Sequence, residues 1–340
     1  MTQHQRRLAN TAWEHIALSA NDFEAFREVI SGWDTEPVQL TGGRLGLRYR
    51  EFSRSGNRYG LLETRPVIAD RNAIHSPGLK FVVPFAPLKT AGREVMPGQL
   101  MIYRNGREYR SVLSRGFRSL EIALTPRRAR AIGLDALISE PQGGPDADIH
   151  ALPPRVFAGL AAVAGELLAA LSDAGSEEER GVIADMIEVR TDGLLAEGLG
   201  GNGHDASAAP RVPRYDLAVA ALAEIEASSE TGRASLAEIA TDLGVSSRAV
   251  EQAFKSAYGV SPRRYSLALR LEATRRALSV PAARPINVSR AALENGFGNL
   301  GRFSAQYRRQ FGERPSDTLR AARTAPRGRH REALNRAHAG

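Results

Sequence analysis

Ser247, Arg248, Glu251, Gln252 and Lys255 together carry the hydrogen-bonding groups that read base edges in a major groove. Arginine and lysine pair with guanine O6 and N7, glutamine with adenine N6 and N7, and glutamate accepts from cytosine N4, while serine serves either kind of edge. Positions 248, 251, 252 and 255 fall on one side of a helix, and Val250, Ala253, Phe254 and Ala257 fall on the other. A solvated surface helix has the same two faces, so the reading depends on what holds this one. A second set, Asn299, Arg302, Ser304 and Arg308 with the neighbouring Arg309, lies along a helical stretch in which Phe303, Tyr307 and Phe311 recur every fourth residue as core. Gly301 and Ala305 offer little to a base, so this second helix is expected to dock on backbone more than it reads sequence.

Both sets sit in helix–turn–helix patterns. In the first, Ser235 and Glu238 form a capping box, Leu236, Ile239, Ala240 and Leu243 give a buried face, Gly244 permits the turn, Val245 plugs the angle and Ser246 caps the reading helix. Ser261 and Pro262 then open a long spacer helix to about Ser279, decorated with Arg263, Arg264, Arg270, Arg275 and Arg276. The second pattern runs from Asn287 with Val288, Ala291 and Leu293 as apolar positions and Gly296-Phe297 as turn and plug. Each pattern closes on Gly-x-x-Pro, Gly259 to Pro262 and Gly312 to Pro315. One such unit is common in helical domains; two in tandem point to DNA.

The charge distribution agrees. The chain has 340 residues and a formal net charge of +8. Residues 1–213 hold 25 Lys and Arg against 26 Asp and Glu, whereas residues 214–340 hold 21 against 12, so the whole excess lies with the paired motifs. A GC-rich genome accounts for arginine over lysine but not for this asymmetry. There is no cysteine, which excludes disulfides, thiolate metal sites, cysteine nucleophiles and cysteine-dependent alkyl transfer. Residues 1–200 hold His4, His15, His75 and His150 far apart, which does not suit a metal-dependent enzyme; no metal and no cofactor are expected. No apolar run approaches the roughly 20 residues of a membrane span, and Met1 to Asn10 lacks a secretory core, so a cytoplasmic protein without membrane contact is expected.

The N-terminal part opens with a helix over Asn21 to Ile30 behind an Asn/Asp cap. From Val38 to Leu124 short apolar or alternating runs (45–52, 79–85, 99–103 and 119–124) separated by Gly, Pro and Asn turns predict a sandwich or small barrel. Thr125-Pro126 starts a helix to about Ile138, and a Gly- and Pro-rich gap, 140–148, follows. Two long helices come next, from Pro153 to Leu171 and from Ser176-x-x-Glu179 to about Leu199. Their apolar stripes fit packing on their own domain and equally a dimer seam. Residues 201–213 have linker composition, and residues 324–340 that of a disordered basic tail.

Residues 215–322 resemble the DNA-binding domain of the AraC/XylS family of bacterial transcription regulators. The resemblance is carried by Leu236-Ala237-Glu238-Ile239-Ala240, Gly244-Val245-Ser246, Phe254-Lys255, Gly259-Val260-Ser261-Pro262 and Arg270-Leu271-Glu272-Ala273. Gly296-Phe297, Arg302-Phe303-Ser304 and Phe311-Gly312-Glu313-Arg314-Pro315-Ser316 complete it. It implies seven helices whose two reading helices enter successive major grooves about one helical turn apart. By position it makes Arg248, Glu251 and Gln252, then Leu300, Arg302, Ser304 and Ala305, base-contact candidates; Gly301 stands where many relatives are polar. The N-terminal half is similar to the cupin-like sensing domains of part of the family.

The expected fold is therefore α+β in two domains. Residues 1–200 form a cupin-like β-barrel with a helical pair for sensing and dimerisation, 201–213 a linker, and 214–323 an all-α tandem helix–turn–helix domain. The expected function is a ligand-responsive, sequence-specific transcription regulator, the alternative being a DNA-bending protein of low specificity. Expected partners are double-stranded DNA and an unknown small-molecule effector, with RNA polymerase and a second copy of the chain as further candidates. Phe81, Phe85, Tyr103 and Tyr109 are candidate effector contacts, each with ordinary core as its competing role.

Overall fold

The computed structural model describes residues 12–30, 33–75, 78–139, 148–171, 176–200, 214–231, 235–279 and 286–324. The expected linker, most of the 140–148 gap and the tail beyond Thr324 lie outside them.

The N-terminal half holds two antiparallel sheets. Strands β1 (Glu14–Ala20), β3 (Leu47–Arg54), β4 (Asn57–Glu63), β11 (Arg118–Leu124), β6 (Leu79–Pro84), β9 (Gln99–Arg104) and β12 (Asp148–Ala151) form one, in that spatial order. Strands β2 (Trp33–Gln39), β5 (Ile68–Ile74), β10 (Glu108–Leu113), β7 (Leu88–Thr90) and β8 (Arg93–Val95) form the other. The sheets face each other without closing, which corrects the expected barrel. The smaller sheet ends in β7 and β8, and three residues of strand reach only about 10 Å.

Period-two alternation decides what each face meets. On β6, Phe81 and Val83 point to one side and Lys80 and Val82 to the other. On β11, Leu120 and Ile122 go with Phe81, while Glu121 goes with Lys80. The Phe81 side packs under helices α4 (Pro154–Ala170) and α5 (Glu177–Leu199), through Val156, Leu160, Val163, Leu167, Ile187 and Leu195. The opposite side faces the smaller sheet, where Val82, Met101 and Tyr103 meet Ile74, Leu88 and Tyr109. Helix α1 (Glu24–Val29) seals one end with Phe23 and Phe26, and Asp22 Oδ1, just before it, accepts from Ala25 N at 3.2 Å.

Four parts of the chain differ from expectation. Strands β1 and β12 and most of β2 lie in segments whose composition gave no strand signal. The single helix expected over 125–138 is two, α2 (Pro126–Ala131) and α3 (Asp135–Ser139). Gly133, at φ +80°, ends the first, and Leu134 N turns back to Ala129 O at 2.9 Å.

The C-terminal part is seven helices among the described residues: α6 (Tyr215–Thr231), α7 (Leu236–Asp242), α8 (Ser247–Tyr258), α9 (Pro262–Ser279), α10 (Val288–Glu294), α11 (Leu300–Phe311) and α12 (Pro315–Thr324). It docks on the outer face of the smaller sheet. Val38, Leu40 and Ala69 share one apolar cluster with Ala218, Leu222, Ile239, Val250, Phe254 and Tyr265. The molecule is thus layered as helical pair, large sheet, small sheet and helical domain.

Candidate DNA interface and interior cavity

The two helix–turn–helix units repeat one backbone plan. Ser235 Oγ accepts from Glu238 N at 3.2 Å while Glu238 Oε2 accepts from Ser235 N at 2.7 Å, fixing the start of α7. Gly244, at φ +66°, turns the chain, Val245 N donates to Ala240 O at 2.9 Å, and Ser246 Oγ caps α8 by accepting from Ala249 N at 3.2 Å. In the second unit Asn287 Oδ1 accepts from Arg290 N at 2.8 Å. Gly296 turns at φ +77°, Phe297 N donates to Ala292 O at 2.9 Å, and Asn299 Oδ1 caps α11 through Arg302 N at 2.9 Å. Gly259 and Gly312, both at φ +74°, end the two reading helices.

The plugs differ. Phe297 is buried against Phe303, ring centroids 4.8 Å apart, whereas Val245 remains 37% exposed and does not fill the first angle as expected. The smaller side chain leaves that turn to be held by Leu243 and by the cap. Leu293, expected in the second unit's apolar face, is 58% exposed; Ala291 and Ala292 take that face.

Arg248, Glu251, Gln252 and Lys255 are exposed along α8 with no side-chain partner among the described residues, and Ser247 is half-buried at its first turn. Val250, Ala253, Phe254 and Ala257 are buried on the opposite face. On α11, Arg302 and Arg308 are exposed and unpaired among the described residues. Asn299 spends its Oδ1 on the cap, and Ser304 Oγ donates to Leu300 O at 2.9 Å, so both enter the second set with part of their hydrogen-bonding capacity used.

The helical domain is fixed to the small sheet by polar contacts that the sequence did not announce. Gln39 and Gln310 are fully buried and face each other. Gln39 Nε2 donates to Gln310 O at 2.7 Å, Gln310 Nε2 donates to Gln39 O, and Gly43 N donates to Gln310 O at 3.0 Å. Arg264 bridges the same point, donating from Nε to Leu40 O at 3.2 Å and from Nη2 to Gln310 Oε1. A Cβ on Gly42 would stand 2.5 Å from Arg309 O. Arg110 meets Glu226 with two bonds, 3.0 and 3.2 Å, and Lys89 Nζ donates to Ser256 O at 2.7 Å, which ties the sheet to the C-terminal half of α8. Glu272, on α9, accepts from Gln39 N at 3.2 Å; burial pushes its carboxyl up to about 7 against the opposing pull of Arg275, the Gln39 amide, Arg27 and Arg276.

Between the sheets lies a cavity of about 310 Å³, lined in part by Trp33, Tyr49, Glu51, Arg58, Lys80 and Glu121, and adjoining a smaller apolar space of about 50 Å³ that shares Trp33 and Glu121. Its charges are paired. Lys80 Nζ meets Glu121 Oε2 at 3.1 Å and lies over the Trp33 ring; Arg58 Nε meets Glu51 Oε2 at 2.8 Å, and Tyr49 donates to the same oxygen. Burial lowers the Lys80 ammonium to about 8, partly offset by Glu121, and burial raises the Asp70 carboxyl, which accepts from Thr35 at 2.6 Å and from Asn72. Trp33 Nε1 and Thr64 Oγ1 are buried without a hydrogen-bond partner among the described residues.

Of the aromatic candidates, Tyr103 lines the smaller space and Tyr109 is buried between the sheets, where its hydroxyl accepts from Arg104 N at 2.9 Å. Phe81 faces the helical pair, and Phe85 packs on Phe157, centroids 6.0 Å apart. The interior charges were signalled only by a lone Lys80 and a lone Glu121, each in the middle of an apolar run.

Residues 239–321 match the model of a helix-turn-helix domain family. The chain is 41% identical over 85 residues to the XylDLEGF operon transcriptional activator of Pseudomonas putida, an alignment covering 25% of this chain and 26% of that protein. It is 32% identical over 85 residues to a probable thc operon regulatory protein of Rhodococcus erythropolis, with the same coverage. The chain thus spans about a quarter of the length of these curated relatives. Among solved structures, a probable AraC family transcriptional regulator from Rhodopseudomonas palustris is 36% identical, covering 32% of this chain and 97% of that one at a TM-score of 0.30. Through residues 239–321 the chain carries the helix-turn-helix domain of the AraC/XylS family of transcriptional regulators.

Proposed function

We propose that the chain is a ligand-responsive, sequence-specific transcription regulator in which α8 and α11 read adjacent major grooves. The observation that carries this reading is the repeated pair of capped helices, each presenting basic side chains without a partner among the described residues on the face opposite its core. The first helix is the stronger reader, because all of Arg248, Glu251, Gln252 and Lys255 are free to pair with bases. The second holds the backbone with Arg302 and Arg308. Residues 1–200 act as the cupin-like sensing domain and 214–323 as the reader, joined by a linker at 201–213 and followed by a basic tail.

The effector enters the cavity between the sheets. Strand β2 supports a route from there to the reader, since Thr35 and Pro37 line the interior while Val38, Gln39 and Leu40 hold the helical domain. The paired charges of the cavity suit a molecule that brings no uncompensated charge into it. RNA polymerase and a second copy of the chain complete the partner set of a cytoplasmic regulator.

The test is to sequence the genomic fragments that the protein retains at near-physiological salt, with Arg248→Ala alongside. Sharp peaks sharing a two-part motif are expected, and Arg248→Ala loses about 1–3 kcal/mol at those sites with relaxed choice at one base pair. Diffuse retention, or an equal loss on random DNA, overturns the readout assigned to α8.

A further inference from the structure

The large sheet carries a second hollow, on the face that bears the helical pair and outside the cavity between the sheets. Where the helices cover this face, the rows across it are apolar: Leu61 lies opposite Leu120, and Leu120 opposite Val83. Two residues further along the strands, the same face carries Arg48 on β3, Glu63 on β4 and Arg118 on β11, one opposite the next in the register. With strands about 4.8 Å apart, the Cα atoms of Arg48 and Arg118 stand about 10 Å from each other. Arg65, from the turn after β4, joins them around a cavity of about 350 Å³ whose floor includes Thr64 and Phe117.

The three guanidinium groups are exposed, and none has a hydrogen-bond or ion-pair partner among the described residues. Glu63, the one carboxylate among the residues lining the hollow, is engaged by Arg50 at 3.3 Å, so the site holds an excess of three positive charges. A row of solvated arginines at the end of a sheet would be free to splay apart; two of these are propped. Arg118 lies over the Phe85 ring, 5.2 Å from its centroid, and Phe85 is itself packed on Phe157. The Arg65 stem lies across Gly46, where a Cβ would stand 2.7 Å from Arg65 Cδ and 2.8 Å from Nε. The turns that carry them are tied together: Arg65 N donates to Leu45 O at 3.1 Å, Gly116 N to Arg65 O at 2.9 Å and Thr64 N to Phe117 O at 2.9 Å. Thr64, only 4% exposed, adds a hydroxyl with no hydrogen-bond partner among the described residues.

We propose that this hollow is a binding site for a small dianion, a metabolite carrying a phosphate ester or two carboxylates. Forked bonds from Arg65 and Arg118 hold its oxyanion groups, Arg48 closes the rim and the Thr64 hydroxyl serves the floor. The volume is that of a metabolite site, and the arginines converge on a hollow instead of following a line, which suits a compact anion better than a phosphate backbone. The site selects the opposite chemistry to the interior cavity, whose charges are already paired. It is independent of the effector and of the DNA reading, and its failure would leave both standing.

The test is calorimetric titration of the full-length chain, at constant ionic strength, with pyrophosphate and with citrate as probes. One site per chain is expected; preference for pyrophosphate marks a phosphate ester and preference for citrate a carboxylate ligand. Arg65→Ala and Arg118→Ala should each weaken binding about tenfold with unchanged thermal unfolding. Glu63→Gln removes the like charge at the rim and should tighten binding about twofold, a gain that damage to the fold does not produce. Arg248→Ala with Arg302→Ala should leave the affinity unchanged. The site is overturned if neither probe binds at millimolar concentration, or if Arg65→Ala with Arg118→Ala binds as the parent does. Loss of binding in the Arg248→Ala, Arg302→Ala variant would move the anion to the reader, and displacement of the probe from that variant by duplex DNA would make the hollow a backbone contact; either result also overturns it.

Discussion

The Gln39–Gln310 contact makes a quantitative claim about how the two domains are held. Truncating Gln310 to Ala removes the donor to Gln39 O and the acceptor of Arg264 Nη2, in a place where both glutamines are fully buried. A buried neutral group left unpaired costs about 1–3 kcal/mol and a charge-assisted bond about 1.5–3 kcal/mol; water entering the vacated volume returns part, so a net cost of about 3 kcal/mol is expected. The loss should appear as opening of the seam before either domain unfolds. Two backbone amides report it directly, because their acceptors lie across the seam: Gly43 N on Gln310 O, and Gln39 N on Glu272 Oε1. In Gln310→Ala both should exchange roughly a hundredfold faster, while amides inside β4 and β11 keep their protection. Gln39→Ala should act on the same opening, so the double substitution costs at least about 1 kcal/mol less than the two singles added. Unchanged exchange at Gly43 and Gln39, or strict additivity, would refute a cooperative seam.

Two further outcomes are expected. Because burial raises Glu272 from its ordinary 4.5 to about 7, the docked state binds more protons than the open one across that interval. Its contribution is therefore fully present below about pH 4.5, falls as pH rises to about 7 and is flat above, so the melting-temperature advantage of Glu272→Gln over the parent chain should grow from pH 5.5 to 7.5. Lys80→Met leaves Glu121 buried without its partner and should cost about 3–5 kcal/mol in urea unfolding. Lys80→Met with Glu121→Leu should recover most of that, and a double variant as weak as the single one would mean that the pair is not an isolated unit.

What the sequence disclosed was mostly local. Ser235 with Glu238, Ser246, Gly259 and Gly312 act within one turn of where they stand, so their capping and turning roles follow from neighbours alone. The interior of the sheets was not legible, because it depends on which alternate set of residues faces inward. One position separates Phe81, under the helical pair, from Lys80, in the cavity. Gln39 and Gln310 lie 271 residues apart, and nothing near either announces the other. Val245 and Phe297 occupy the same place in the repeat, yet only the aromatic ring is large enough to be buried there. Strand β12 was hidden because its four residues are recruited by β9 after a Gly- and Pro-rich stretch.

The apolar cluster that joins Val38, Leu40 and Ala69 to α6, α8 and α9 bears on how such proteins can be recombined. A graft cut at residues 201–213, exchanging the sensor for one of another specificity, would keep every residue of the reader and still strip Phe254 and Val250 of part of their packing. The portable unit is the helical domain together with a compatible outer face on β2 and β5. A chimaera designed as a biosensor should therefore transplant Val38, Gln39, Leu40 and Ala69 into the new sensor, or redesign the reader's underside to match it.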